Sequence, residues 1–197
     1  KAVYLVFCSL AIISFVCLAA YFGLGLIPKA YNEIRPLVLT SGGESCLENL
    51  RAQNHSIRSL GDMGTNECPI LNAVKIEKFS DTTLSSPIVL SCPAALSVAS
   101  WLNDIQARHI VHMGTLNCRR QRGSGFLSEH SFGLAIDISE IDGAKVSRDW
   151  NNSSTKGIKL KKAAEVACEH FSNVLTPEAN SLHHSHFHLD VGIGGGC

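Results

Sequence analysis

Ala2 to Ile27 contains no charged residue and is dominated by Leu, Ile, Val, Phe and Ala. About 20 apolar residues, rising about 1.5 Å each, cross a hydrocarbon core ~30 Å thick. The run is therefore expected to form one transmembrane helix over residues 1–27. A cleaved signal peptide is the alternative, but its apolar core usually has about 7–15 residues, which is shorter than this run. Cys8 and Cys17 lie inside the run and read as small apolar residues. The rest of the chain must fold by itself, and about 170 residues suffice for one domain with a proper core.

Six cysteines lie beyond the run: Cys46, Cys68, Cys92, Cys118, Cys168 and Cys197. They are widely spaced and contain no CxxC pair, which suits disulfides better than a zinc–thiolate cluster. Of the 15 possible pairings, neighbours in order are the expectation: Cys46 with Cys68, Cys92 with Cys118, and Cys168 with Cys197. Disulfides persist in oxidising compartments, so the domain is expected outside the cytoplasm, in a periplasm or its equivalent, with the N-terminus cytoplasmic. Lys1 agrees with that orientation; Lys29 and Arg35 on the other side oppose it, so the cysteines carry the argument. Seventeen basic and seventeen acidic residues give a formal net charge of zero. With no basic stripe, nucleic acid is not an expected partner.

Residues 28–45 read as a linker, broken by Pro28, Pro36 and Ser41-Gly42-Gly43. The globular domain is expected over 46–197. Pro93 near the start of Ala94–His109 suits a first helical turn, and Ala95, Leu96, Ala99, Leu102 and Ile105 recur at helical spacing. Gly157–Phe171 reads as a second helix. Val111–Leu116 reads as a strand and Arg119–Phe126 as a loop. Gly133–Ser139 alternates, with Leu134, Ile136 and Ile138 on one face and Asp137 on the other. Trp101 and Trp150 are expected in the core or at its rim. His55, His109, His112 and His170 are scattered and read as structural or surface residues, and Asn151–Ser154 contains two overlapping glycosylation sequons that would matter only in a eukaryotic secretory setting.

The last strand carries most of the chemistry. From His186 to Val191 the apolar residues Phe187, Leu189 and Val191 alternate with His186, His188 and Asp190. Three polar groups on one face of an otherwise apolar strand are costly unless they meet water, a metal or each other. Upstream, His130 stands seven residues before Asp137, with Gly133 between them to permit a sharp turn. Two imidazoles and one carboxylate, with a fourth position for water, form a catalytic zinc arrangement. His130, Asp137 and a histidine of the last strand could make such a set.

The segments SEHSFGLAID and HFHLD resemble the metal signature of the LAS metallopeptidases, which include D-Ala-D-Ala dipeptidases, carboxypeptidases and a murein endopeptidase. More closely, Cys118-Arg119, Ser128–Asp137, Cys168–Phe171 with Val174-Leu175, and His183–His188 resemble the bacterial extensin-like C-terminal domain family over roughly residues 46–197. A structural extensin role is excluded, because the chain has only six prolines and no proline repeat. The resemblance implies an α+β fold in which a small antiparallel sheet carries packed helices. It also implies that His130, Asp137 and His188 are the ligands of Zn2+, that Ser128 holds substrate near the metal and that Arg119 binds substrate or stabilises developing negative charge. Dipeptidase relatives place a general-base Glu where this chain has Ser185, whereas the murein endopeptidase branch surrounds its metal with further histidines. His183 and His186 are accordingly the expected proton carriers. Asp190 would orient His188 or His186, and Glu129 is expected to face solvent.

Three functions are expected from these residues. One is a membrane-anchored zinc peptidase acting on peptidoglycan stem peptides. The second is an inactive accessory subunit docked in an integral-membrane protein complex. The third is a peptidoglycan-binding module without turnover.

Overall fold

The structure, a computed structural model, describes residues 30–34 and 43–197. The expected membrane helix, Cys8, Cys17 and most of the linker lie outside the described residues. Among the described residues, no helix is long and apolar enough to cross a membrane.

The chain alternates two strand-rich stretches with helices that cover the sheet. Helix α1 (Gly43–Ala52) leads into β1 (Ser56–Gly64), β2 (Pro69–Phe79) and β3 (Thr82–Ser91), an antiparallel meander. Helix α2 (Cys92–Asp104) then crosses back to β4 (His109–Gly114), which pairs parallel with β3. After a long loop come β5 (Ala135–Ile141), the two-residue β6 (Ala144–Lys145), the short helix α3 (Val146–Asp149) and helix α4 (Thr155–Ala167). Strands β7 (Asn173–Leu175) and β8 (Phe187–Asp190) close the fold. The sheet runs β1-β2-β3-β4-β5-β8-β7, with β6 paired to β5.

The α+β class therefore holds, but the sheet is neither small nor wholly antiparallel. Among the described residues it has eight strands and one parallel pair of strands. The physical cause is α2, since a helical crossover returns the chain in the same direction, which a tight turn cannot do. The meander over residues 56–91 is hard to read from sequence because its pattern is irregular. Its β1–β2 register shifts three times, at Ser56/Ile57, Ser59/Gly61 and Gly61/Met63.

Helix α2 begins at Cys92 with Pro93 in its first turn, as the sequence suggests. It ends earlier than expected because Gln106 takes a left-handed φ of 53°. Ala94, Ala95, Val98, Ala99, Trp101 and Leu102 face the core. Trp101 is fully buried, and its indole Nε1 donates to the Ala163 carbonyl of α4 at 2.9 Å. Truncating such a residue to Ala would cost about 3–5 kcal/mol. The second helix spans 155–167 rather than 157–171, capped by the Ser154 hydroxyl, which accepts from Gly157 N–H. Leu134 precedes β5 and joins a small cluster with Cys68, Leu127 and Phe132, while Ile136 and Ile138 enter the main core. The strand begins at Ala135, later than the alternation implied.

The disulfides join Cys46–Cys92, Cys68–Cys118 and Cys168–Cys197. Only the last is a pairing of neighbours. The first two interleave because α1 packs against α2 while the β1–β2 hairpin carries Cys68 towards the loop after β4. Residues 30–34 form a helical turn that rests on that loop. Asn32 Oδ1 accepts from Leu127 N–H at 3.0 Å, and Tyr31 meets Phe126 edge-on at 5.2 Å.

Candidate metal centre

Strands β5 and β8 pair antiparallel with Asp137 directly opposite His188. Directly opposite residues share a face, with Cβ atoms about 4.5–5.5 Å apart. The third group arrives on a 3-10 turn, Glu129–Phe132, that carries His130. Gly133 ends the turn at φ 65°; a Cβ there would stand 2.9 Å from Ile70 Cγ2 and 3.0 Å from Ser91 N. Both the left-handed conformation and the close approach call for glycine. The turn redirects the chain into β5, so His130 and Asp137 meet despite the residues between them.

His130 Nε2, His188 Nδ1 and Asp137 Oδ1 converge. The two nitrogens are 3.1 Å apart, and Oδ1 lies 3.2 Å from His130 Nε2 and 2.9 Å from His188 Nδ1. Around a tetrahedral zinc with bonds of about 2.0–2.1 Å, ligand atoms stand about 3.3–3.4 Å apart. The spacing fits with small outward movements. The outer nitrogens are also spoken for. His130 Nδ1 donates to the Thr115 carbonyl at 3.1 Å, and His188 Nε2 donates to Asp190 Oδ2 at 3.0 Å. These outward bonds leave His130 Nε2 and His188 Nδ1 facing the point where the three groups converge, open to an ion. Among the described residues, these three are the one group whose ligand atoms gather closely enough to hold an ion.

The electrostatics agree. Burial alone would lower the His188 pKa, but hydrogen bonds to Asp137 and Asp190 outweigh it and lift it to about 9. Burial would raise Asp137, yet hydrogen bonds and charge from His130 and His188 hold it below the usual carboxylate range. Without a metal, a proton on His188 supplies the positive charge at this carboxylate. A divalent cation placed there would displace it.

The triad forms part of a cavity of about 900 Å³. Arg119, Ser128, His183 and His186 all line it, so every residue expected at the site is present there. Ser128 is buried and its N–H donates to the Arg119 carbonyl at 2.9 Å, tying the two together. His183 Nδ1 bonds Asn180 Oδ1 at 2.8 Å, and burial with the neighbouring His188 charge lowers its pKa to about 4. His186 Nε2 stands 3.7 Å from Asp137 Oδ1; burial lowers its pKa as well. Both rings are neutral at neutral pH. His184 is exposed and does not line the cavity. A second cavity, of about 500 Å³ and lined in part by His55, Asp104 and His170, contains none of these residues.

One expectation is overturned. Glu129 is not solvent-facing but 6% exposed, and it lines the cavity. Its carboxylate packs on Gly192, where a Cβ would approach it to 2.3–2.6 Å. Adjacent residues need not point apart when the chain curls tightly. In the 3-10 turn both Glu129 and His130 are enclosed. Thr115 and Asn173 were also unforeseen. Thr115 acts through its backbone carbonyl, which no side-chain motif reveals, and Asn173 sits on a three-residue strand with no periodicity to read.

Residues 44–197, well over half of the chain, match the family described as Extensin-like protein C-terminus. No curated protein and no solved structure matches the chain.

Proposed function

The chain belongs to the extensin-like protein C-terminus family, and from that premise we propose that it is a zinc-dependent peptidase related to the LAS metallopeptidases. One observation carries the reading: His130 Nε2, Asp137 Oδ1 and His188 Nδ1 lie within 3.2 Å of one another in an open cavity. Zinc held by these residues would supply Lewis acidity and make a water molecule acidic near neutral pH.

The remaining roles fall to the chain's own side chains. Neutral His183 or His186 accepts a proton and returns it to the leaving amine. The Glu129 carboxylate, enclosed in the same cavity, is a further acceptor. The Arg119 guanidinium stabilises negative charge developing on the scissile carbonyl oxygen, and Ser128 orients the peptide. Ala2–Ile27 anchors the domain on the outer side of a membrane, where disulfides persist. Peptidoglycan stem peptides are the proposed substrates.

The test is metal analysis of the purified domain followed by digestion of muropeptides. Zinc-dependent release of new peptide termini is expected, with none from His188→Ala. The presence of Ser185 where dipeptidase relatives carry a Glu favours a second reading, a muropeptide-binding or membrane-complex accessory domain without turnover. Binding of muropeptides, or of a membrane partner through residues 1–27, with no cleavage would establish that reading instead.

A further inference from the structure

The glycine-rich tail after β8, Gly192-Ile193-Gly194-Gly195-Gly196-Cys197, packs beside the candidate metal centre. Asp190, only 3% exposed, accepts three hydrogen bonds: from His188 Nε2 at 3.0 Å, from Asn173 Nδ2 at 2.8 Å and from Gly192 N–H at 2.8 Å. Asn173 therefore stands directly behind the carboxylate that orients a metal ligand.

Asn173 is itself held by the tail. Val174 N–H donates to the Gly196 carbonyl at 2.9 Å and Gly196 N–H donates to the Ser172 carbonyl at 3.2 Å, so backbone bonds flank Asn173 on both sides. A Cβ on Gly194 would come within 2.8 Å of Asn173 Oδ1, and one on Gly196 within 3.4 Å. Gly194 also adopts φ 151°. Next to Gly196, Cys197 is bonded to Cys168 just past the end of α4, and both cysteines are exposed.

We infer that Asn173 is a positioning residue for His188, acting through Asp190, and that the tail latched by Cys168–Cys197 keeps Asn173 in place. The inference rests on the metal-centre reading above. Its physical logic is that the Asn173 amide N–H and the Gly192 N–H both bond Asp190 Oδ1, which turns Oδ2 towards His188 Nε2–H. That bond leaves His188 Nδ1 free to face the ion. Loss of such an outer partner typically lowers metal affinity about 10–100-fold.

The experiment compares zinc affinity, by competition with a chromophoric chelator, for the wild-type domain, Asn173→Leu and the double variant Cys168→Ser/Cys197→Ser. Leucine keeps the shape of asparagine but removes the donor. A loss of up to about 10-fold is expected for Asn173→Leu, the low end of the range for a ligand's direct partner because Gly192 still holds Asp190, and a loss in the same direction for the double variant. A second readout needs no metal. Nitrogen-15 NMR should show a slowly exchanging His188 Nε2–H in the wild-type protein that is lost in Asn173→Leu, a change that mere packing would not produce. Should the leucine variant not fold, the double variant, which leaves Asn173 untouched, decides by the same two readouts. Unchanged affinity together with a retained Nε2–H resonance overturns the inference. Wild-type protein that binds no zinc overturns the metal reading, and the NMR comparison in the metal-free protein then decides the role of Asn173.

Discussion

His130 Nε2 faces His188 Nδ1 across 3.1 Å, while the opposite nitrogen of each ring is bonded outward, to the Thr115 carbonyl and to Asp190. In the metal-free domain a proton on His188 joins the two nitrogens and Asp137, and a divalent ion is suited to take its place. The wild-type domain should therefore bind one zinc ion. Replacing His130, Asp137 or His188 by Ala should weaken binding by more than about 100-fold, since each change removes a direct ligand. Equilibrium dialysis with metal analysis measures this; an unaltered stoichiometry in all three variants would exclude the site.

In the metal-free domain, stability should peak near pH 6.5, the ordinary histidine value. His188 has a folded pKa of about 9, above its ordinary 6.5, so its stabilisation is complete below pH 6.5 and disappears as pH rises through 9. His183 has a folded pKa of about 4, and His186 is shifted the same way. His183 stays neutral in the fold while the unfolded chain takes up a proton, and His186 acts in the same direction, so stability falls as pH drops from 6.5 towards 4. With zinc the alkaline limb should vanish, because metal binding is favoured once His188 has lost its proton. Melting curves in chelator and in zinc, from about pH 4 to about pH 9, distinguish the two limbs. A flat profile in chelator contradicts the assignment.

Gly133→Ala should destabilise the domain by more than about 1 kcal/mol, because alanine resists φ 65° and its methyl meets Ile70 and Ser91. The turn joins His130 to Asp137, so zinc affinity should fall with it. Urea unfolding and the dialysis assay report the two effects separately.

Glu129→Gln preserves size while removing a carboxylate from the cavity. If Glu129 accepts the proton, kcat should fall about 100-fold or more while zinc affinity stays near wild type. His183→Gln and His186→Gln make the matching test for the two histidines. Whichever substitution lowers kcat without releasing zinc identifies the acceptor.

Asn32→Ala should cost about 1–2 kcal/mol, as it removes the side chain that bonds both Leu127 N–H and the Gly125 carbonyl. The same loop carries Arg119 into the cavity wall, so KM should rise more than kcat falls. Steady-state kinetics on muropeptides checks that split.

The donor set was legible because it obeys local rules. Alternation in Phe187–Asp190 puts His188 and Asp190 on one face whatever the strand pairs with, and Gly133 announces the reversal between His130 and Asp137. The Cys168–Cys197 bridge was also foreseen, joining the end of a helix to the tail 29 residues on. The crossed pairing of Cys46 with Cys92 and Cys68 with Cys118 was not, because it depends on α1 finding α2 across an intervening hairpin.

Residue type and spacing by themselves determined which side chains could ligate a metal and on which side of their strands they stand, since a two-residue repeat is a property of any extended chain. Tertiary structure alone decided that Asp137 and His188 are cross-strand partners, that Glu129 is enclosed, and which ring nitrogen of each histidine faces inward. Those outcomes depend on groups as distant as Thr115, Asn173 and Gly192. Distances through space are set by how the whole sheet pairs, which no short stretch of sequence encodes.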